Sequence, residues 1–149
     1  MTALLDVNVL LALFSPGHRF HLRAREWFLA NRSLGWATCP MTQAGFVRLF
    51  MQERISTAEV SMQEACELIA RSTAMAEHRF WPQTSALTEI LPEIRARLIG
   101  HKQLTDAILL DLAISNGGRL VTLDRRVEHL LPANSPHRAR LEVIPPDAA

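Results

Sequence analysis

The sequence predicts an α/β fold in layers, with a mainly parallel central sheet flanked by helices. Short, uninterrupted apolar runs at residues 3–5 and 120–123 read as strands buried on both faces. Longer stretches with helical periodicity separate such runs, so consecutive strands are joined by helices. The helix at 104–115, the turn Asn116-Gly117-Gly118 and the run after it form one helix–turn–strand unit.

The other elements follow in order. After the first strand a short helix covers 9–14 and is broken by Ser15-Pro16-Gly17. Residues 18–31 form an amphipathic helix, with Phe20, Ala24, Trp27 and Phe28 at helical spacing. Residues 36–39 form a second strand, and Pro40 suits the entry to a helix running to about 51. Ser61 and Glu64 have capping-box spacing for a helix over 61–75. A third strand over 78–81 closes at Pro82, and 88–98 is predicted helical before Gly100. The last strand covers 141–144 and stops at Pro145-Pro146.

With 149 residues and no linker or repeat, the chain is expected to be a single domain over 1–149. Hydrophobic residues at 48% and charged residues at 21% describe a globular chain, and a formal charge of +1 gives no global affinity for polyanions. The basic residues are nearly all arginine, Lys102 being the sole lysine. Cys39 and Cys66 are too few for a disulfide framework and are expected to be buried thiols in a reducing cytoplasm. His18 and His21 lack the further ligands of a zinc site. Asp6 and Asn8 interrupt the apolar N-terminus, which has no basic lead, so it does not read as a signal peptide. No apolar run approaches the roughly 20 residues of a membrane span.

Three aspartates carry the chemistry. Asp6 and Asp124 each follow an apolar strand, and in an open parallel sheet the strand C-termini share one edge, where ligands bind. Asp106 opens the helix that feeds the 120–123 strand and runs antiparallel to it. That helix spans about 15 Å to its cap at ~1.5 Å per residue, and residues 119–124 span about 16 Å at ~3.3 Å per residue. Asp106 therefore returns to the edge that holds Asp124. Asp111, about 140° further round the helix, points elsewhere. Singly, each aspartate has a structural reading: Asp6 caps a helix, Asp106 complements a helix dipole behind a Thr105 cap, and Asp124 begins a turn. Three on one edge repel unless a cation neutralises them, and hard oxygen ligands suit Mg²⁺ or Mn²⁺.

The chain resembles the PIN-domain toxins of the VapC type along nearly its whole length. The resemblance rests on Leu4-Leu5-Asp6-Val7-Asn8, on residues 18–28, on Trp36-Ala37-Thr38-Cys39-Pro40 and on Thr42-Gln43-Ala44-Gly45-Phe46-Val47-Arg48. Leu104-Thr105-Asp106-Ala107 and Leu120-Val121-Thr122-Leu123-Asp124 complete it. It implies a PIN-like three-layer fold and an Mg²⁺- or Mn²⁺-dependent endoribonuclease, acting in the cytoplasm on tRNA or another structured RNA. It also implies inhibition by a VapB-type antitoxin and assembly as a homodimer or toxin–antitoxin hetero-oligomer. By matching position, Asp6 and Asp106 would be the principal metal ligands, with Asp124 completing the catalytic acidic cluster. Asn8 and Thr122 would orient carboxylates or water. Arg48 would contact RNA phosphate or brace the site, with Arg125 and Arg126 also near it. The antitoxin would dock on the helices around 47–51 and 61–68.

One position departs from the family pattern: many PIN domains carry a glutamate where this chain has Gly45, which weakens the case for a two-metal site. Gln43 is a candidate polar substitute. The residues also leave two other readings open. An aspartyl-phosphate hydrolase or receiver-like domain places aspartates at strand ends, but the former wants an aspartate where Asn8 stands and the latter a lysine at a strand end. A catalytically weak PIN-fold RNA- or protein-binding module is the other. The few aromatics, Trp27, Phe46 and Phe50 among them, sit at core-like helical positions and read as packing rather than base-stacking groups.

Overall fold

A computed structural model describes residues 1–52, 60–83 and 85–145. Among these, five strands form one parallel sheet: β1 (Ala3–Leu5), β2 (Trp36–Thr38), β3 (His78–Phe80), β4 (Arg119–Thr122) and β5 (Leu141–Val143), in the order β3-β2-β1-β4-β5. Every neighbouring pair is parallel, so the expected mainly parallel sheet is wholly so. The α-helices are α1 (Val7–Phe14), α2 (His21–Asn31), α3 (Pro40–Gln52), α4 (Met62–Thr73), α5 (Pro92–Arg95) and α6 (Leu104–Ser115).

Side chains alternate across a strand, and this splits the core in two. Leu4 and Leu120 point to one face with Ala107, Leu109 and Leu110 of α6 and Ile94 of α5. Ala3, Leu5 and Val121 point to the other with Val9, Leu10 and Leu11 of α1, Phe28 of α2 and Phe46 of α3. Both faces are therefore covered, which is why the central strands read as unbroken apolar runs. Phe46 is fully buried and stacks on Phe50, and Trp27 is half-buried with its indole N–H donated to Glu142 at 2.6 Å. These aromatics pack, as the sequence indicates.

Several boundaries move for local reasons. The α1 helix begins at Val7 rather than residue 9, because Asp6 caps it by accepting the Val7 N–H at 2.7 Å. The α2 helix begins at His21, three residues later than the periodicity suggests; Phe20 donates its N–H back to His18 Nδ1 in a tight turn. The single helix expected over 88–98 is instead a 3₁₀ turn at Leu87–Glu89 and the short α5. Pro92 is the reason: it lacks an N–H and forces Leu91 extended, so a helix can start there but not pass through. Asp111 accepts the Leu91 N–H at 2.8 Å, facing away from Asp106 as expected. The α6 helix starts at Leu104, so Thr105 is inside it and not its cap. Gly117, at φ +68°, closes α6 in the left-handed region that a side chain rarely adopts. Cys39 is buried, but Cys66 is exposed on α4, where it lines a groove shared with α3, contrary to expectation. Pro146, expected with Pro145 to end the last strand, lies outside the described residues.

Candidate metal centre

The sheet order reverses at β1, which pairs with β2 on one side and β4 on the other. The crevice above β1 and β4 is a topological switch point, where parallel sheets bind ligands. Register pairs Leu5 with Val121, so the next residues, Asp6 and Thr122, meet side by side at that edge.

Asp6 is 6% exposed and held from two directions. Its Oδ1 accepts the Val7 N–H at 2.7 Å and its Oδ2 accepts the Thr122 hydroxyl at 2.7 Å. Thr122 is fully buried, and its hydroxyl oxygen also accepts from the Asn8 side-chain amide at 3.0 Å and the Asp124 N–H at 3.1 Å. Asn8 Oδ1 accepts the Leu123 N–H at 3.0 Å, tying α1 to the end of β4. Each carboxylate oxygen of Asp6 keeps a further acceptor position after these bonds. The buried Thr122 and the half-buried Asn8 thus fix the orientation of one carboxylate.

Asp106 stands in the first turn of α6, half-buried. Its carboxyl is pushed up to about 6, first by burial, then by the negative charges of Asp6 and Asp124, against a partial offset from Arg126. Burial likewise raises Asp6 above the ordinary carboxylate range, with Asp124 adding to it. Three carboxylates from β1, α6 and the end of β4 therefore share one electrostatic environment.

Asp124 differs from the other two. It caps the 3₁₀ turn Arg125–Leu130 through the Arg126 N–H at 2.9 Å. The Arg126 guanidinium grips both of its oxygens, Nε at 3.0 and 3.1 Å and Nη2 at 2.7 Å. That pairing holds Asp124 below the usual carboxylate range. Among the described residues no three His, Cys, Asp or Glu side chains are close enough to enclose a metal alone. The donor set still fits Mg²⁺ or Mn²⁺, which is often held by one or two carboxylates with waters completing the shell. Asp6 and Asp106 would be its two hard oxygen donors, and Asp124, paired with Arg126, adds a third negative charge felt by both.

The arginines separate. Arg126 joins the acidic cluster, whereas Arg125 is exposed with no partner among the described residues. Arg48 is also exposed and does not brace the acids; it lines a groove of about 820 Å³ between α3 and α4, with Val47, Met51, Met62 and Ile69. Gln43 is on that side too, its amide donated to Thr38 at 2.9 Å. It does not stand in for the missing glutamate.

Gly45 explains why no acid could stand there. A Cβ on residue 45 would lie 2.7 Å from Val7 Cγ2, because α3 packs directly on α1 at this point. The volume that a longer side chain would cross is filled by Val7, the neighbour of Asp6. The sequence carried only half of this signal, the glycine, since the valine opposite is a tertiary contact. The bidentate Asp124–Arg126 grip was also missed, although a two-residue separation across a turn is the spacing that permits it.

A parallel sheet with three acidic side chains gathered at its switch point places the chain among α/β proteins whose site lies at the carboxyl ends of the strands. Residues 3–130 match the PIN domain family. Over 127 residues the chain is 45% identical to ribonuclease VapC44 of Mycobacterium tuberculosis, covering 85% of this chain and 89% of that one. It is 42% identical over 125 residues to ribonuclease VapC38 of the same organism, covering 84% and 86%. The fold matches a crystal structure of VapBC2 from Rickettsia felis bound to a DNA fragment from their promoter, with a TM-score of 0.57 and 14% identity over 88% of this chain and 96% of that one. The chain belongs to the PIN-domain family and, within it, to the VapC ribonucleases.

Proposed function

We propose that the chain is an Mg²⁺- or Mn²⁺-dependent endoribonuclease and the toxin of a type II toxin–antitoxin module, working as one catalytic unit in the cytoplasm. The observation that carries the reading is the convergence of Asp6, Asp106 and Asp124 on one sheet edge, where each of the first two is raised by burial and by its acidic neighbours. Asp6 and Asp106 would hold the cation. When bound, it supplies Lewis acidity to the scissile phosphate and makes water a better nucleophile.

The protein's own groups perform the positioning. Thr122 and the Val7 amide fix Asp6, and Asn8 fixes Thr122. Arg126 keeps Asp124 ionised beside them, so the edge stays anionic at neutral pH. This arrangement needs no side-chain nucleophile, and Asn8, bonded to Thr122 and the Leu123 amide, does not offer the second acid of an aspartyl-phosphate enzyme. Incubated with a labelled structured RNA and Mg²⁺, the purified protein is expected to cut internally and to stop cutting when EDTA is added. Cleavage that persists in excess chelator, or none in any divalent metal, refutes the proposal.

An antitoxin of the VapB type is the proposed partner, seated in the groove between α3 and α4. Exposed Met51 and Met62 flank that groove, and flexible thioethers suit an apolar partner helix. Hydrogen exchange should slow in residues 47–51 and 62–68 when the antitoxin binds. Unchanged protection in both segments rejects the location.

A further inference from the structure

A second cleft opens beside the acids, on the side away from the α3–α4 groove. It holds about 700 Å³ and has Asp106 and Asp124 at one end. Arg97, Lys102 and Arg126 line it, Arg126 being already paired with Asp124, and Ile99 supplies exposed apolar surface beside the buried Val127 and Leu130. We infer that this cleft seats an unpaired nucleotide next to the scissile phosphate, its phosphate on Lys102 and Arg97 and its base against Ile99. This assignment rests on the ribonuclease reading and specifies the substrate that the reading leaves open.

Ile99 is 94% exposed, yet its loop is tied down. The N–H groups of Ile99 and Gly100 both donate to Gln103 Oε1, at 2.8 and 3.3 Å, so the backbone that presents the isoleucine is braced by the start of α6. Arg97 is braced as well: its Nε donates to the His129 carbonyl at 2.7 Å, while its terminal nitrogens have no partner among the described residues. Lys102 has neither a hydrogen bond nor an ion pair among the described residues, although it stands four positions from Asp106. Cations left unpaired beside a cluster of carboxylates complement a ligand that carries its own negative charge along the cleft. A phosphodiester backbone does so, and it must run past Asp106 to reach the reacting position.

The size selects among nucleic acids. Pockets of roughly 300–1,000 Å³ enclose one small organic ligand, which matches a base with its ribose. Sequence-selective RNA readout generally uses such unpaired bases. Phe and Trp are absent from this lining, whose one ring is the His129 imidazole, so the base meets chiefly aliphatic surface at Ile99 and the site is expected to tolerate purine and pyrimidine alike.

The test is fluorescence anisotropy with the full-length protein and a labelled single-stranded RNA of about ten nucleotides, in chelator so that no cleavage occurs, over a range of salt. Lys102→Ala should weaken binding and lower the slope of log K against log salt by about 0.7, the signature of one lost phosphate contact on a single strand. Ile99→Ser should weaken binding roughly three- to tenfold with the slope unchanged, as loss of apolar contact does. Both side chains are exposed, so the melting curves of the variants should overlay that of the parent. A duplex of the same sequence should bind more weakly than the single strand.

Equal binding by parent and both variants, or tighter binding of the duplex, overturns the assignment. If the parent still cleaves RNA under those circumstances, the ribonuclease reading survives and only the cleft is wrong. If the parent neither binds nor cleaves, both fall. Variants that bind RNA normally but lose antitoxin would mark the cleft as a protein site and overturn the nucleotide assignment.

Discussion

Replacing Asp106 with Asn is expected to abolish RNA cleavage and, in the same protein, to raise the stability of the metal-free fold. The first effect follows from losing a ligand. Metal polarisation contributes several kcal/mol to phosphoryl chemistry, and at 1.36 kcal/mol per tenfold the rate should fall by roughly 10²–10³ or more. The second effect follows from the carboxyl itself. Its rise from the ordinary 3.8 to about 6 means that the folded chain holds the ionised form at a loss. In a fully buried group that rise would carry roughly 3 kcal/mol; Asp106 is part-exposed, and solvent screening leaves about 1 kcal/mol.

The sign fixes the pH window. A carboxyl raised on folding binds its proton more tightly in the native state, so its contribution to stability is full below 3.8 and is lost as pH rises through about 6. Thermal melts in EDTA at pH 7.5 should place the variant roughly 2–4 °C above the parent. Near pH 4 the two should converge. Mg²⁺ should raise the melting temperature of the parent and leave that of the variant nearly unmoved. A variant that is less stable than the parent at pH 7.5 without metal would contradict the repulsion from which the site is inferred.

Placing the family's glutamate at position 45 should destabilise the protein and add no activity. The new Cβ would meet Val7 Cγ2 at 2.7 Å, and a β-branched side chain has little rotamer freedom with which to yield. Overpacking of this kind costs about 1–3 kcal/mol, and a carboxylate in the same buried space adds the penalty of desolvation, so Gly45→Glu should lose roughly 3 kcal/mol or more. Gly45→Ala regains up to ~1 kcal/mol of helix propensity and should lose about 1 kcal/mol net. Val7→Ala removes the offending methyl groups, leaving Val7 Cβ at an ordinary 3.6 Å. The double variant, Val7→Ala with Gly45→Ala, should therefore be more stable than the sum of the single losses by denaturant titration. Strict additivity would mean that the two residues do not compete for this space.

How much of this was legible in the sequence depends on the range of the physics involved. Strand positions and the common edge for Asp6, Asp106 and Asp124 followed from periodicity and element length, because a buried parallel strand must be apolar on both faces and a helix must span its strand. The capping box at Ser61 and Glu64 is likewise local, and both of its hydrogen bonds are present. Pro92 is also visible in the sequence, and it is what divides the 88–98 segment into a 3₁₀ turn and α5. Features that depend on what lies opposite were out of reach. The exposure of Cys66, the remoteness of Arg48 from the acids and the Val7–Gly45 contact depend on how α1, α3 and α4 pack, which no spacing along the chain encodes.

The partnership of Thr122 with Asp6 joins positions 116 residues apart. Loop closure on that scale carries a large entropy, and folds dominated by such distant pairings assemble slowly. Strand β4 also lies inside the sheet, between β1 and β5, so the crevice has no second wall until the final third of the polypeptide has docked. A copy that lacks β4 therefore carries Asp6 and most of the helices but has neither Thr122 to hold that carboxylate nor Asp124 beside it.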